Sequence, residues 1–313
     1  MPWKQINREF TEVNMYDVLI IGAGPAGISA AIYALRNDLK VGILEGEAPG
    51  GKMVYTATIE NYPGYSTIDG PDLAYTMFNQ IINLGADYIG FNATGIRREE
   101  GYFVVSGDED LKAKTVIIAT GTKNKKLEIP GEERLTNKGI SWCAICDGAL
   151  YRNKEVAVIG GGNSAFEETI YLSGVVKKVY LIHRREEFRA EKQVIEKVKS
   201  LENVELILNT VVLEFVGEED LKKLILKNLK TKEVTELPVS GCFEFVGLLP
   251  ATDFVQDLGI LDENGYIPVN ENQETKIAGL YAVGDVVTKK VRQIVTAVND
   301  GAIAALDIIR KIR

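Results

Sequence analysis

Cys143 and Cys146 are separated by two residues and followed at once by Asp147, in the run CAICDG. That spacing permits a small disulfide ring, and a thiolate of lowered pKa in such a pair is the usual device of dithiol exchange. The other reading is a metal site, which needs about four ligands. Beyond this pair the chain has only Cys242 and His183 as further Cys or His, so a zinc site requires all four to converge. Cys242 sits in an apolar, strand-like run (GCFEFVG) and reads as a small buried hydrophobe. A single His also argues against a Ser-His-Asp type of catalysis.

A second kind of chemistry is carried by glycines. The apolar run YDVLII meets GAGPAG at residues 22–27, an Ala-rich helical stretch follows, and a second apolar run ends at Glu45. Much later EVAVI meets GGGNSA at residues 160–165, again followed by a helical stretch and a strand that ends at His183. The register is the same: 23 positions separate Gly22 from Glu45, and 23 separate Gly160 from His183. Two such openings predict two dinucleotide-binding domains, each with a parallel sheet. In the first copy Gly22 allows a tight turn, Gly24 a close approach of backbone to pyrophosphate, and Gly27 close packing of helix on sheet. The helix N-terminus offers free N–H groups and the positive end of its dipole. Glu45 can accept from a ribose 2′-OH.

The second copy has Ala165 at its third position, where only close packing is required. Where the first copy has an acid, it has His183-Arg184-Arg185 and then Arg189. Guanidinium groups bind a 2′-phosphate through charge-assisted, fork-shaped hydrogen bonds, whereas a carboxylate would repel it. The first site is therefore expected to hold a dinucleotide with a free ribose, FAD or NAD, and the second to prefer NADP. The bland alternative is that HRREEFRAEK is a solvated, salt-bridged surface segment. An NADP site joined to a flavin site reads as a flavoprotein reductase.

What must position these groups is a chain of 313 residues, long enough for two domains, with 46% apolar and 26% charged residues. It has 36 Lys and Arg against 44 Asp and Glu, a net charge of −8, and no basic run, so it is a poor nucleic-acid binder. No apolar stretch reaches the roughly 20 residues of a membrane span. Three Cys are too few for a secreted disulfide scaffold, which points to a reducing, cytoplasmic setting. The first 15 residues carry acids, have no apolar core, and read as a surface extension rather than a signal peptide.

Taken together, the motifs GAGPAG, EGEAPGGK, IENYPG, IIATGT, CAICDG, GGGNSAFEE, HRREEFRAEK, YAVGDV and RQIVTAVNDGAIAA resemble the low-molecular-weight, bacterial-type thioredoxin reductases over nearly the whole chain. CAICDG inside the second nucleotide domain is the most diagnostic. Related flavoprotein disulfide reductases keep a more widely spaced Cys pair beside the first nucleotide motif, where this chain has GGKM. The resemblance implies FAD contacts at Gly22, Gly24, Pro25, Ala26, Gly27, Glu45, Gly51, Lys52, Asn61, Gly284, Asp285, Arg292, Gln293 and Ile294. It implies NADPH contacts at Asn163, Ser164, Arg184, Arg185 and Arg189. Cys146 matches the sulfur that faces the flavin, Cys143 the sulfur that attacks a partner disulfide, and Asp147 the acid that handles protons. The partner implied is thioredoxin, and the assembly a homodimer.

Two departures stand out: Lys52 where the family commonly has Gln, and Ile145 where it often has Thr. The implied fold is α/β, with two Rossmann-like, three-layer domains. The FAD domain takes residues 16–122 and 247–313, and the NADPH domain, residues 123–246, is inserted into it. TKNKKLEIPGEE marks the crossing out and VGLLP the return. The amphipathic C-terminal stretch AIAALDIIRKIR reads as a core-packing helix rather than a membrane anchor. Because the nicotinamide site and the Cys pair fall on the inserted domain, the two domains are expected to alternate about the linkers. Three rivals keep parts of this reading: a glutaredoxin- or peroxiredoxin-type partner, electrons from ferredoxin, and a zinc-loaded flavoprotein sensor without turnover. The arginine set argues against the second.

Overall fold

The computed structural model describes residues 15–56 and 58–312, so the expected N-terminal extension lies, but for Met15, outside the described residues. The chain opens with β1 (Tyr16–Ile21), an apolar run such as a doubly covered strand needs. Pro sits in the first turn of α1 (Pro25–Leu35), whose alanines favour helix, and β2 (Val41–Leu44) closes the first βαβ opening. A 3₁₀ turn covers Gly51–Tyr55. After it come a short antiparallel pair, β3 (Thr58–Ile59) and β4 (Ile68–Asp69), and then α2 (Gly70–Asn83). On α2, Leu73, Met77 and Ile81 recur every four residues and bury one face. β5 (Asp87–Ile89), β6 (Gly95–Glu99), β7 (Tyr102–Ser106) and β8 (Leu111–Ile118) complete this stretch.

The chain then leaves through β9 (Thr122–Asn124). It builds α3 (Glu132–Leu135), β10 (Ile140–Ser141) and α4 (Ala144–Asp147). The second βαβ opening is β11 (Glu155–Gly160), α5 (Asn163–Ser173) and β12 (Lys178–Ile182). α6 (Lys192–Lys199) and β13 (Val204–Ile207) follow, then an antiparallel trio, β14 (Thr210–Gly217), β15 (Leu221–Asn228) and β16 (Val234–Pro238). β17 (Gly241–Phe245) rejoins the parallel sheet, and β18 (Leu248–Pro250) leads back. β19 (Leu280–Ala282) and α7 (Ile294–Ile312) end the described chain.

These elements fall into two compact units. Of the described residues, one takes 15–54, 58–122 and 250–312; the other takes Lys123–Leu249, with residues 55–56 grouped to it. The two crossing strands, β9 and β18, pair with each other. The return falls just beyond the expected residue 246, because β18 continues the pairing to Pro250.

In the first unit the sheet order is β5-β2-β1-β8-β7-β6, with β19 also pairing β8. β2, β1, β8 and β19 are parallel, while β6 and β7 form an antiparallel hairpin at the edge. Ile20, Ile43 and Ile117 are fully buried on the face covered by α1 and α7, and Leu19, Val116 and Leu280 on the other. Each such side chain contributes roughly 1.5–3 kcal/mol. α1 and α7 cross in backbone contact. A Cβ on Gly301 would stand 2.1 Å from the Ala26 carbonyl oxygen, so only glycine permits the approach. The Ser29 hydroxyl donates to the Val298 carbonyl at 2.7 Å, and the buried Tyr281 hydroxyl donates to Asp307 at 2.8 Å. The C-terminal helix is thus a packing element, as its amphipathic pattern suggests, and among the described residues no helix is long and apolar enough to cross a membrane.

In the second unit the parallel sheet runs β10-β17-β11-β12-β13. α5 covers one face with Phe166 and Leu172, and the antiparallel trio covers the other with Phe215, Leu224 and Leu226. That gives three layers, helix on parallel sheet on antiparallel sheet.

Candidate functional site

The first glycine loop shows what its residue types are for. A Cβ on Gly27 would lie 2.0 Å from the Gly22 carbonyl oxygen, so α1 could not begin where it does with any other residue there. A Cβ on Gly24, in contrast, would meet nothing within 4 Å. The backbone of Gly24 therefore faces open space, at a helix N-terminus that no side chain caps. That is the cradle a pyrophosphate needs. Glu45 lies just past β2, and its carboxylate accepts from the Ala23 and Glu47 amides, each at 3.0 Å, which fixes it beside the loop.

The remaining expected contacts gather around the same loop. Gly50 donates to the Ala23 carbonyl at 2.8 Å, and a Cβ on Gly51 would touch Gly24 at 3.4 Å. Gly284 packs against Ala26, and its amide donates to Asp300 at 3.0 Å. Arg292 donates to the Asp285 carbonyl at 3.2 Å, and Asn61 to Gln293 at 3.2 Å. Ile294 begins α7. Lys52 donates to the Thr122 hydroxyl. Burial pulls the Lys52 ammonium down to about 8, against Asp285, which holds it up, and with Arg292, which lowers it further. Burial raises the Asp285 carboxyl, and Lys52, Lys289 and Arg292 oppose that. Sequence reasoning missed Thr122, Lys289 and Asp300; the Lys289–Asp300 pair, at 2.5 Å and almost out of solvent, joins residues whose local motifs gave no sign of pairing.

In the second unit the glycine loop and the arginine segment are tied together. The Arg189 amide donates to the Gly161 carbonyl at 2.8 Å. Asn163 is clasped by Glu191, a residue the sequence did not mark. The Glu191 amide donates to Asn163 at 2.7 Å, and Asn163 donates to the Glu191 carboxylate at 3.2 Å. The His183 ring lies against Gly161, where a Cβ would come within 2.2 Å of it. Burial lowers the His183 pKa, the Glu187 carbonyl opposes this, and Arg184, Arg185 and Arg189 lower it further. Arg184, Arg185, Arg189 and Ser164 are exposed, and a Cβ on Gly162 would meet nothing within 4 Å. An exposed guanidinium set beside an open helix N-terminus suits a phosphorylated ribose.

The same unit carries the cysteines. Cys143 and Cys146 are bonded to each other, with their Cα atoms 5.3 Å apart. Cys143 caps α4, its amide held by the Ser141 hydroxyl at 3.0 Å, and its sulfur accepts from the Cys146 amide at 3.1 Å. Cys143 is half-buried, Cys146 exposed, and Asp147 half-buried at the end of the same turn. The zinc reading required these sulfurs together with Cys242 and His183. The two sulfurs instead hold each other, Cys242 is fully buried in β17, and among the described residues no group of three or more His, Cys, Asp or Glu could hold a metal.

Beneath the linkers of this unit lies a buried carboxyl pair that the sequence did not announce. Glu132 accepts from the amides of Leu127, Glu128 and Ile129 at 3.0, 2.5 and 3.3 Å, pinning the incoming chain. Glu244, on β17, is fully buried beside Glu132. Burial, and then the neighbouring Glu132, push it up to about 8. The folded protein therefore holds a proton that the unfolded chain releases near 4.5, and stability falls as pH rises between those values. Glu244→Gln is expected to flatten that fall and to raise stability at about pH 8 by on the order of 2 kcal/mol. Urea unfolding of both proteins at about pH 5.5 and pH 8 measures it; equal pH dependence in the two would contradict the assignment.

The comparisons with known proteins agree with this arrangement. Residues 16–301 match the family described as pyridine nucleotide-disulphide oxidoreductase. A protein of Ureaplasma parvum named thioredoxin reductase is 48% identical over 294 residues, which cover 93% of this chain and 95% of that one. One of the same name from Bacillus subtilis is 42% identical over 301 residues, 95% of each chain. The crystal structure of Lactococcus lactis thioredoxin reductase, in its FR conformation, superposes with a TM-score of 0.92 at 45% identity, covering 94% of this chain and 98% of that one. By family, residue pattern and fold, this chain belongs to the pyridine nucleotide-disulphide oxidoreductases, in the group of bacterial-type thioredoxin reductases.

Proposed function

We propose that this chain is an FAD-containing, NADPH-dependent thioredoxin-disulfide reductase. The observation that carries the reading is the Cys143–Cys146 disulfide, placed in the same unit as a glycine loop tied to an arginine-rich segment. The unit built from residues up to 122 and from 250 on takes FAD, and the inserted unit takes NADPH. FAD, when bound, supplies two-electron chemistry between NADPH and the disulfide.

The chain's own residues divide the rest. Gly24 and the N-terminus of α1 receive the pyrophosphate, and Glu45 orients a ribose. Arg184, Arg185 and Arg189 select the 2′-phosphate of NADPH. In the reduced pair, the Cys146 amide is placed to stabilise a thiolate on Cys143, which favours Cys143 as the nucleophile. Cys143 attacks a thioredoxin disulfide and forms a mixed disulfide, and Asp147 supplies the proton to the departing thiolate. Cys146 then attacks the Cys143 sulfur, which restores the ring and releases reduced thioredoxin. Since the arginine segment and the Cys pair share one unit, that unit presents them in turn by movement about β9 and β18. The protein works as a homodimer in the cytoplasm, a setting its few cysteines suit.

The test is rapid-mixing reduction of the purified, FAD-loaded protein by NADPH and by NADH, followed by addition of a thioredoxin. The reading requires faster reduction by NADPH and a new pair of thiols on thioredoxin. Reduced flavin that never reaches thioredoxin would refute it.

A further inference from the structure

Lys52 has a definite place along the dinucleotide that the first unit would hold. At the carboxyl edge of its sheet the strands run β2, β1, β8, β19. Ligands of open α/β sheets lie across that edge. Glu45 follows β2 and marks the adenosine ribose; the glycine loop follows β1 and marks the pyrophosphate. The other half of the dinucleotide must then continue past the ends of β8 and β19. Thr122 lies just beyond β8, and Asp285 just beyond β19. Lys52 donates to Thr122 and faces Asp285 and Arg292. It therefore belongs to the redox-active half of the ligand, not to the adenosine half.

A half-buried ammonium at that place acts on charge. Two-electron reduction leaves flavin more negative, and a fixed cation close by favours the reduced form. We propose that Lys52 is a positioning cation for the bound flavin, which raises its reduction potential above that of the same site with a neutral residue at this position. The inference rests on the FAD reading above and deepens it. Its charge is also conditional: burial brings the ammonium down to about 8, so alkaline solution removes it from the oxidised protein.

The experiment is a spectroelectrochemical titration of the FAD-loaded protein and of Lys52→Gln and Lys52→Arg, from about pH 6.5 to pH 9.5. At about pH 7, Lys52→Gln should hold about tenfold less reduced flavin than the unmodified protein at the same applied potential, about 30 mV for a two-electron couple. Lys52→Arg should restore most of it. In the unmodified protein the potential should fall more steeply with pH above about 8 than in either variant, because there reduction draws a proton onto Lys52. Equal potentials and equal slopes overturn the proposal, as does a Lys52→Gln protein that only binds FAD more weakly. Failure of the unmodified chain to take up FAD at all would overturn the underlying reading instead, and the absence of yellow colour identifies that outcome.

Discussion

Cys143→Ser is expected to abolish thioredoxin reduction while leaving reduction of bound FAD by NADPH intact. The Cys143 sulfur receives the Cys146 amide at 3.1 Å, and on that ground it is proposed as the attacking sulfur. Serine keeps the cap on α4 but is no nucleophile at neutral pH, and it cannot close the ring with Cys146. Turnover should fall by roughly 10³-fold or more, the scale seen when a nucleophile that works as part of a set is removed. Absorbance of the flavin and a thiol count on thioredoxin separate the two half-reactions. Substantial thioredoxin reduction by Cys143→Ser would exclude Cys143 as the attacking sulfur. Cys146→Ser, in contrast, should trap on Cys143, as a stable mixed disulfide, a thioredoxin whose second redox cysteine has been replaced, because no resolving sulfur then remains on either partner.

The second large effect concerns the nicotinamide nucleotide. Replacing Arg184 and Arg185 together with Ala removes two exposed guanidinium groups and leaves the clasp of Asn163 with Glu191 in place. Each charge-assisted contact to a phosphate is worth about 1.5–3 kcal/mol, so kcat/KM for NADPH should fall by ~10² or more. The value for NADH, which has no 2′-phosphate, should change little. The ratio of the two constants is the quantity to measure. An unchanged ratio would mean that these arginines form only a solvated surface.

The parts of this protein that sequence made legible are those encoded locally. A glycine loop between a strand and a helix occupies a few consecutive residues, and its spacing repeats at Gly22 and Gly160 because the same backbone problem is solved twice. The cysteine pair is local as well: two residues separate the sulfurs that the fold joins. What stayed hidden depends on partners far apart in the chain. Glu132 and Glu244 look like ordinary surface acids until β17 carries Glu244 into the interior. Glu191 seems one more charge in HRREEFRAEK, yet it holds Asn163 across 28 residues. Lys52 was visible as a departure from the family pattern, but its half-buried place next to Thr122 and Asp285 is set by the ends of two strands that sequence spacing does not align. The antiparallel trio β14–β16 was also not foreseen, since its strands mix apolar and charged residues without marking which sheet they cover.

The discontinuity of the first unit has a consequence for how the protein comes into being. Residues 123–249 are one uninterrupted stretch, so that unit has its full complement of strands before translation is complete. The other unit must wait. Its β19 strand and the helix that crosses α1 at Gly301 are translated after residue 249, and until they leave the ribosome the nascent α1 has one flank without its cover.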